Sequence, residues 1–286
     1  MRIDAHQHYW QLSRNDYGWL TPEVPTLYRD FMPNDLTESL IRHGLTKTIV
    51  VQAAATVEET EFLLSLCQTH DSIAGVVGWL DFEQDNFVET FERLRKNPYF
   101  IGVRLMLQSI DAAEYLQRPL VFHHLKWLET LGFPVDLLIH AAQFPAVLKL
   151  LELVPNLNAV IDHIGKPQIS QQVISPWQEW VMEVAQYPQV YCKLSGMVTE
   201  GNISDWVESD FNFYVMHATK AFGLNRVMFG SDWPVCLLAA SYDQAVSILL
   251  NNLPKALTEQ ELDDVFGNNA IRFYQLEISH SIETGV

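Results

Sequence analysis

Positive charge is what this sequence has least of: 18 lysines and arginines stand against 35 aspartates and glutamates, a formal net charge of −17. No cluster of Lys and Arg relieves the imbalance locally, so the phosphates of nucleic acids and anionic lipid surfaces are repelled, and both are excluded as partners. Cysteine is scarce as well. Cys67, Cys192 and Cys236 are scattered, odd in number and in no Cys-x-x-Cys pair, which suits buried thiols in a reducing compartment. No apolar run reaches the ~18 residues of a membrane span, and a strand is predicted to begin within two residues of the N-terminus with no basic, apolar leader before it. The expected location is cytoplasmic. Absent motifs narrow the chemistry further: there is no P-loop, no Gly-x-Gly-x-x-Gly after a strand, no Gly-x-Ser-x-Gly elbow and no His-Glu-x-x-His helix. Nucleotide-dependent and serine-hydrolase readings have nothing to stand on. Water is the nucleophile that remains.

What is present suffices for one large α/β domain. Over 286 residues, 48% hydrophobic and 12% aromatic content supply a core, and 19% charged residues are too few for a disordered chain. Eight short apolar runs recur: Ile3–His6, Thr48–Gln52, Ile73–Trp79, Ile101–Arg104, Val135–His140, Ala159–His163, Val190–Leu194 and Arg226–Asp232. Runs this apolar suit parallel strands covered on both faces. Amphipathic stretches lie between them, at 58–69, 86–96, 119–131, 142–153, 176–187 and 214–222. That alternation implies a parallel sheet with right-handed crossovers, and eight repeats favour closure into a (β/α)8 barrel over an open sheet. We expect the barrel to occupy residues 1–276 and residues 277–286 to form a loose tail.

Two connections interrupt the rhythm. The first, residues 9–35, carries Trp10, Tyr17, Trp19, Tyr28 and Phe31 and leaves the strand that bears His6 and His8, so it is expected either to wall a pocket or to pack as a structural flap. The second, residues 106–118, is polar and reads as another rim loop. Near the end, Thr258 and Glu261 form a capping box that opens a helix, Gly267 ends it, and residues 268–274 begin another.

In a barrel of this kind the site lies at the C-terminal ends of the strands. Applied to the eight runs, the rule collects His6 and His8, Gln52, Asp81, Arg104, His140, His163, Lys193 or Ser195, and Asp232. His6 and His8, two apart on a strand, share a face and can hold one ion or one substrate oxygen, and a carboxylate beside them can take a proton from water. Arg104 is either a substrate contact or an internal clamp on a carboxylate such as Asp81 or Asp232. Lys193 reads equally as a snorkelling strand lysine.

The opening Ile3-Asp4-Ala5-His6-Gln7-His8-Tyr9-Trp10 is joined by three later motifs: Asp162-His163-Ile164-Gly165-Lys166-Pro167, Cys192-Lys193-Leu194-Ser195-Gly196 and Phe229-Gly230-Ser231-Asp232-Trp233-Pro234-Val235. Together they resemble the lactonase branch of the amidohydrolase superfamily, which includes hydrolases of L-fuconolactone and related sugar lactones, of sulfomuconolactone and of pyrone-dicarboxylate lactone. The likeness runs to the closing Gly267–Tyr274 segment. It implies a distorted (β/α)8 TIM barrel in which His6 and His8 are the strand-one pair, His163 is the strand-six histidine and Asp232 is the general base. The chain departs from the wider pattern at Arg104, where many superfamily members have a metal-bridging Lys or Glu. The resemblance then implies one divalent ion, zinc first, on His6, His8 and Asp232, or metal-independent action. Leu105 stands where sugar-lactonase relatives often have His.

The expected activity is hydrolysis of a sugar (aldono) lactone such as L-fuconolactone to the aldonic acid. Asp232, His163 and Arg104 are the expected catalytic residues, and Gln52, Trp19, His140 and Lys193 the expected substrate contacts. Hydrolysis of an anionic lactone, cleavage of a C–N or C–C bond, and a barrel that only binds a sugar acid are the alternatives. The partner is a small-molecule lactone, and a homodimer is compatible with the sequence.

Overall fold

The computed structural model describes residues 1–277. Its strands are β1 (Ile3–Gln7), β2 (Lys47–Val51), β3 (Ile73–Gly78), β4 (Phe100–Met106), β5 (Val135–Leu138), β6 (Ala159–Ile161), β7 (Val190–Leu194) and β8 (Val227–Phe229). They pair in parallel and in sequence order, as the apolar runs predict. Between and after them lie α1 (Pro33–Arg42), α2 (Val57–Leu66), α3 (Phe87–Leu94), α4 (Pro119–Leu131), α5 (Phe144–Leu153), α6 (Trp177–Val184), α7 (Asn212–Phe222) and α8 (Tyr242–Asn252), then α9 (Glu259–Asp263) and α10 (Asn269–Tyr274). Among the described residues no helix is long and apolar enough to cross a membrane.

The eighth strand is short, and the barrel closes on β1 through the segment that follows it. The amide of Asp232 donates to the His6 carbonyl (2.8 Å), and the amide of His8 donates to the Trp233 carbonyl (2.7 Å). Asp4 fastens the same seam from inside: its carboxylate accepts from the Ser231 amide at 2.9 Å and from the Tyr242 hydroxyl at 3.0 Å. This irregular closure is the distortion of the barrel.

Within the ring, Ile3, Ala5, Ile49, Val51, Val77, Val160 and Met228 pack with Ala270, Phe273 and Tyr274 of α10. The C-terminal helix thereby plugs the end opposite the strand termini. Ile3 and Ala5 belong to this apolar layer, whereas His6 meets the buried charges above it, so the alternation of β1 changes parity. The pairing of β1 with β2 slips between Asp4 and Gln7, and a bulge of that kind re-aims the side chains beyond it.

The 9–35 connection is better packed than a loose wall. Trp10 and Phe31 exchange backbone hydrogen bonds of 2.9 and 3.0 Å and are fully buried, and Phe31 stands edge-on to Trp233. Trp19 remains 43% exposed, and its indole N–H donates to the Ala53 carbonyl at 2.8 Å. The connection ends in α1, and the 106–118 rim holds a short helix, Ala112–Tyr115, capped by the Asp111 carboxylate. Neither α1 nor α8 stood out as an amphipathic stretch in the sequence. The capping box at Thr258 and Glu261 is present, its two reciprocal bonds measuring 3.2 and 2.7 Å. Of the expected tail, residues 278–286 lie outside the described residues.

The loop leaving β2 is held by the helix that follows it. Glu59 of α2 is fully buried, and its oxygens accept from the amides of Ala53 (3.0 Å) and Ala54 (2.7 Å). Burial outweighs those amide bonds and pushes its carboxyl up to about 8. Unfolded, a glutamate loses its proton near ~4.3, so between these values only the folded state holds this proton. The stability it contributes is present at low pH and is lost as pH rises through the folded value. Compared with Glu59→Gln by denaturant midpoint, the wild type is expected to lose ground between about pH 5 and about pH 8, by about 1.4 kcal/mol per pH unit at most. A gap that does not move with pH would show that Glu59 ionises in its ordinary range.

Candidate active site

Above the apolar layer the ring is filled by charge. Arg104 (β4), Asp136 (β5), Asp162 (directly after β6) and Lys193 (β7) come from neighbouring strands, and all are buried. The Arg104 Nε donates to Asp162 Oδ2 at 3.0 Å, and its Nη1 donates to the Gln52 carbonyl at 3.0 Å. Lys193 Nζ bonds Asp136, lies 3.2 Å from Asp162 Oδ1 and reaches His6 Nδ1 at 3.1 Å. The Tyr274 hydroxyl, rising from the apolar plug, donates to Asp136 at 2.7 Å. Burial alone would raise the Asp162 carboxyl, but Lys193, His6 and Arg104 outweigh it and hold it well below the usual carboxylate range. This layer is the pedestal for His6.

Three imidazoles converge on one carboxylate oxygen. Asp232 Oδ1 lies 3.2 Å from His8 Nε2, 3.8 Å from His6 Nε2 and 4.0 Å from His163 Nε2. Burial pushes the Asp232 carboxyl up, but His163, His8 and His6 prevail and keep it ionised well below its ordinary range. Burial pushes His163 down to about 3, so it is a neutral imidazole at working pH. Burial and then the Lys193 ammonium lower His6 in the same way.

The backbone at these positions is bent to the task. His163, Ile164, Lys166 and Asp232 have φ of 54°, 49°, 46° and 56°, the left-handed region that costs a non-glycine residue of order 1–3 kcal/mol. The turn after β6 thereby lifts His163 over the barrel mouth, where its Nδ1 meets the Ser195 hydroxyl at 2.9 Å. Gly196, at φ 61°, lies against that ring: a Cβ there would fall 2.4 Å from His163 Nδ1. At Gly230 a Cβ would fall 2.6 Å from that of His6. Both glycines are needed for close approach to one of these histidines.

The donor set fits a divalent cation. His8 Nδ1 lies 2.7 Å from the Val51 carbonyl, which fixes its proton there and turns the Nε2 lone pair toward Asp232 Oδ1, an acceptor facing an acceptor. His6 Nε2 is buried with no hydrogen-bond partner among the described residues. The ligand atoms of His6, His8 and Asp232 all lie within 4.8 Å of one another, and those of His6, Asp162 and His163 form a second such group. Two imidazole nitrogens and a carboxylate are a ligand set suited to zinc.

The sequence-predicted residues divide by height in the barrel. His6, His8, His163 and Asp232 come together at the mouth. Arg104 clamps Asp162, not Asp81 or Asp232, and Asp81 instead accepts from the Glu83 amide and the Gln84 side chain in a turn after β3. Lys193 is fully buried beneath His6, away from the open face on which the sequence reading placed a substrate contact. Gln52 is likewise buried, its amide on Met106 Sδ and its Oε1 facing Arg104. Trp19 and His140 stand at the rim, exposed.

Other rim residues were not foreseen. Lys166 Nζ donates to Gln108 Oε1 at 2.8 Å and lies 3.9 Å from Glu200 Oε1, and both charged side chains are about one-fifth exposed. Lys166 follows the turn after β6 and Glu200 ends a four-residue helix, Met197–Glu200, segments too short for periodicity to single out a side chain.

Comparison with known proteins gives consistent results. A protein-family model described as Amidohydrolase matches residues 3–276. The chain is 34% identical, over 96% of its length and 96% of theirs, to proteins of Burkholderia ambifaria and Burkholderia multivorans named L-fucono-1,5-lactonase. A crystal structure of an amidohydrolase from Burkholderia multivorans with bound Zn superposes with a TM-score of 0.91 at 34% identity, covering 97% of this chain and 100% of that one.

Proposed function

The chain belongs to the amidohydrolase family, and from that premise we propose that it hydrolyses the ring ester of a sugar lactone, of which L-fucono-1,5-lactone is the first to test. The observation that carries this reading is the convergence on Asp232. All three imidazoles approach Oδ1, which leaves Oδ2 to hold a water and accept its proton as the water attacks the lactone carbonyl. Protonated, Asp232 returns that proton to the ring oxygen as the C–O bond breaks, and the product is the hydroxy acid. His163 stabilises the oxyanion: with the Ser195 hydroxyl donating to Nδ1, the neutral ring presents Nε2–H to the site. Arg104 positions Asp162, and Asp162 positions His6. His6, His8 and Asp232 would hold the ion, zinc by the ligand set, which when bound polarises the carbonyl and acidifies water.

Charge pairing supports a neutral substrate over an anionic one. Among the described residues, the cations nearest the histidines each face a carboxylate: Arg104 with Asp162, Lys193 with Asp136 and Asp162, Lys166 with Glu200. A substrate dicarboxylate would have to displace an existing partner. The three cysteines are buried and unbridged, which supports a reducing, cytoplasmic setting.

A pH-indicator assay for acid release over a panel of aldonolactones, with and without prior chelation, tests the reading. Acid from L-fucono-1,5-lactone is expected, with loss on chelation and recovery on adding zinc. Silence on every neutral lactone, with acid released from a dicarboxylate lactone, would overturn the substrate class. Activity indifferent to thorough chelation would remove the ion.

A further inference from the structure

The mouth has two unlike walls. In an eight-strand ring the loops after β1 and β2 lie across from those after β5 and β6. On the first side stands Trp19, tied to Ala53. On the other side Gln108, His140, Lys166 and Glu200 come from the loops after β4, β5, β6 and β7. The polar wall is built: Gln143 donates to the Ile110 carbonyl at 3.1 Å and holds the 106–118 loop, while Lys166 holds Gln108. The Lys166 amide donates to the His163 carbonyl at 2.8 Å, and Glu200 ends the short helix Met197–Glu200 that begins just after Ser195, whose hydroxyl meets His163 Nδ1, so the pair borders the reaction site without belonging to the attacking machinery.

Hydrogen-bond accounting shows unused capacity there. An ammonium has three donors, and Gln108 takes one of those on Lys166. Its 3.9 Å separation from Glu200 Oε1 exceeds a direct hydrogen bond. A hydroxyl set between them can accept from Lys166 and donate to Glu200. A carboxylate in that position would meet Glu200 as a like charge, and an apolar group would strand both ions.

We propose that Lys166 and Glu200 form the hydroxyl-recognising subsite of this enzyme, reading the ring hydroxyls of a sugar lactone whose C–H face rests toward Trp19. This rests on the lactonase reading above. It makes the pair specificity-determining: they select polyhydroxylated rings from plain ones by binding groups remote from the carbonyl.

The test compares L-fucono-1,5-lactone with δ-valerolactone, the same ring size without hydroxyls, for wild type, Lys166→Met and Glu200→Gln. For both variants the ratio of kcat/KM on the sugar lactone to that on the plain lactone is expected to fall by about tenfold or more, with the loss on the sugar lactone mainly in KM. An unchanged ratio, whether both substrates suffer equally or neither does, would overturn the subsite while leaving the lactonase reading intact. A wild type that opens neither lactone would overturn the lactonase reading and the subsite with it. Glu200→Gln keeps the shape of the wall, so a failure of Lys166→Met to fold still leaves the ratio measurable.

Discussion

Asp232→Asn is expected to fold normally and to lose about 10²–10⁴-fold in kcat/KM for lactone hydrolysis, the range that a positioned general base supplies. The substitution keeps the side chain's shape and therefore its fit in a buried site. It removes the anion on which three imidazoles converge. An amide can neither take the proton of the attacking water nor return one to the leaving ring oxygen, so both halves of the proposed cycle fail together. Acid release measured beside a thermal melt separates chemistry from folding. Activity within tenfold of wild type in a protein of unchanged melting behaviour would remove Asp232 from the base role and move it to His163.

The largest effect on stability is expected at Lys193, where Lys193→Met should cost about 3–5 kcal/mol, the penalty for breaking a buried ion pair from one side. Its ammonium is fully buried, serves Asp136 and Asp162 together and reaches His6. Without it, Asp136 keeps only the Tyr274 hydroxyl and Asp162 keeps Arg104 and His6. Two buried carboxylates on adjacent strands then share too little positive charge. The double variant Lys193→Met with Asp136→Asn should recover part of the loss, because an amide needs no counter-ion. Denaturant unfolding of the single and double variants measures this directly. Equal losses in the two would show that the cost is one of packing and that charge compensation contributes little.

The contrast between these residues shows what the sequence could and could not reveal. The fold was legible because parallel strands buried on both faces read as apolar runs, and the main helices between them are amphipathic. His6, His8, His163 and Asp232 were legible because each breaks such a run at its C-terminal end or just beyond it. The pedestal was less legible. Arg104, Asp136 and Lys193 each stand singly between apolar neighbours, and a lone charge inside a strand says only that the side chain is paired or exposed. The usable signal was their succession: cation, anion, anion, cation on four consecutive strands, with Arg104 and Asp136 in register. Lys166 and Glu200 had no such signal, since a turn and a four-residue helix fix their side chains by contacts that only the folded chain supplies.

The seam between β1 and the segment after β8 bears on how the enzyme is made. His8 and Asp232 stand 224 positions apart, yet their side chains meet at 3.2 Å and their backbones share the strand pairing that closes the ring. A chain growing on the ribosome exposes these histidines and then adds more than two hundred residues before their carboxylate emerges. Until Ser231, Trp233 and Tyr242 have left the exit tunnel, Asp4 lacks its cross-chain partners and the first strand has an open edge. The proposed site is therefore completed after the last strand, and a nascent chain that ended just beyond Phe229 would carry every strand without it.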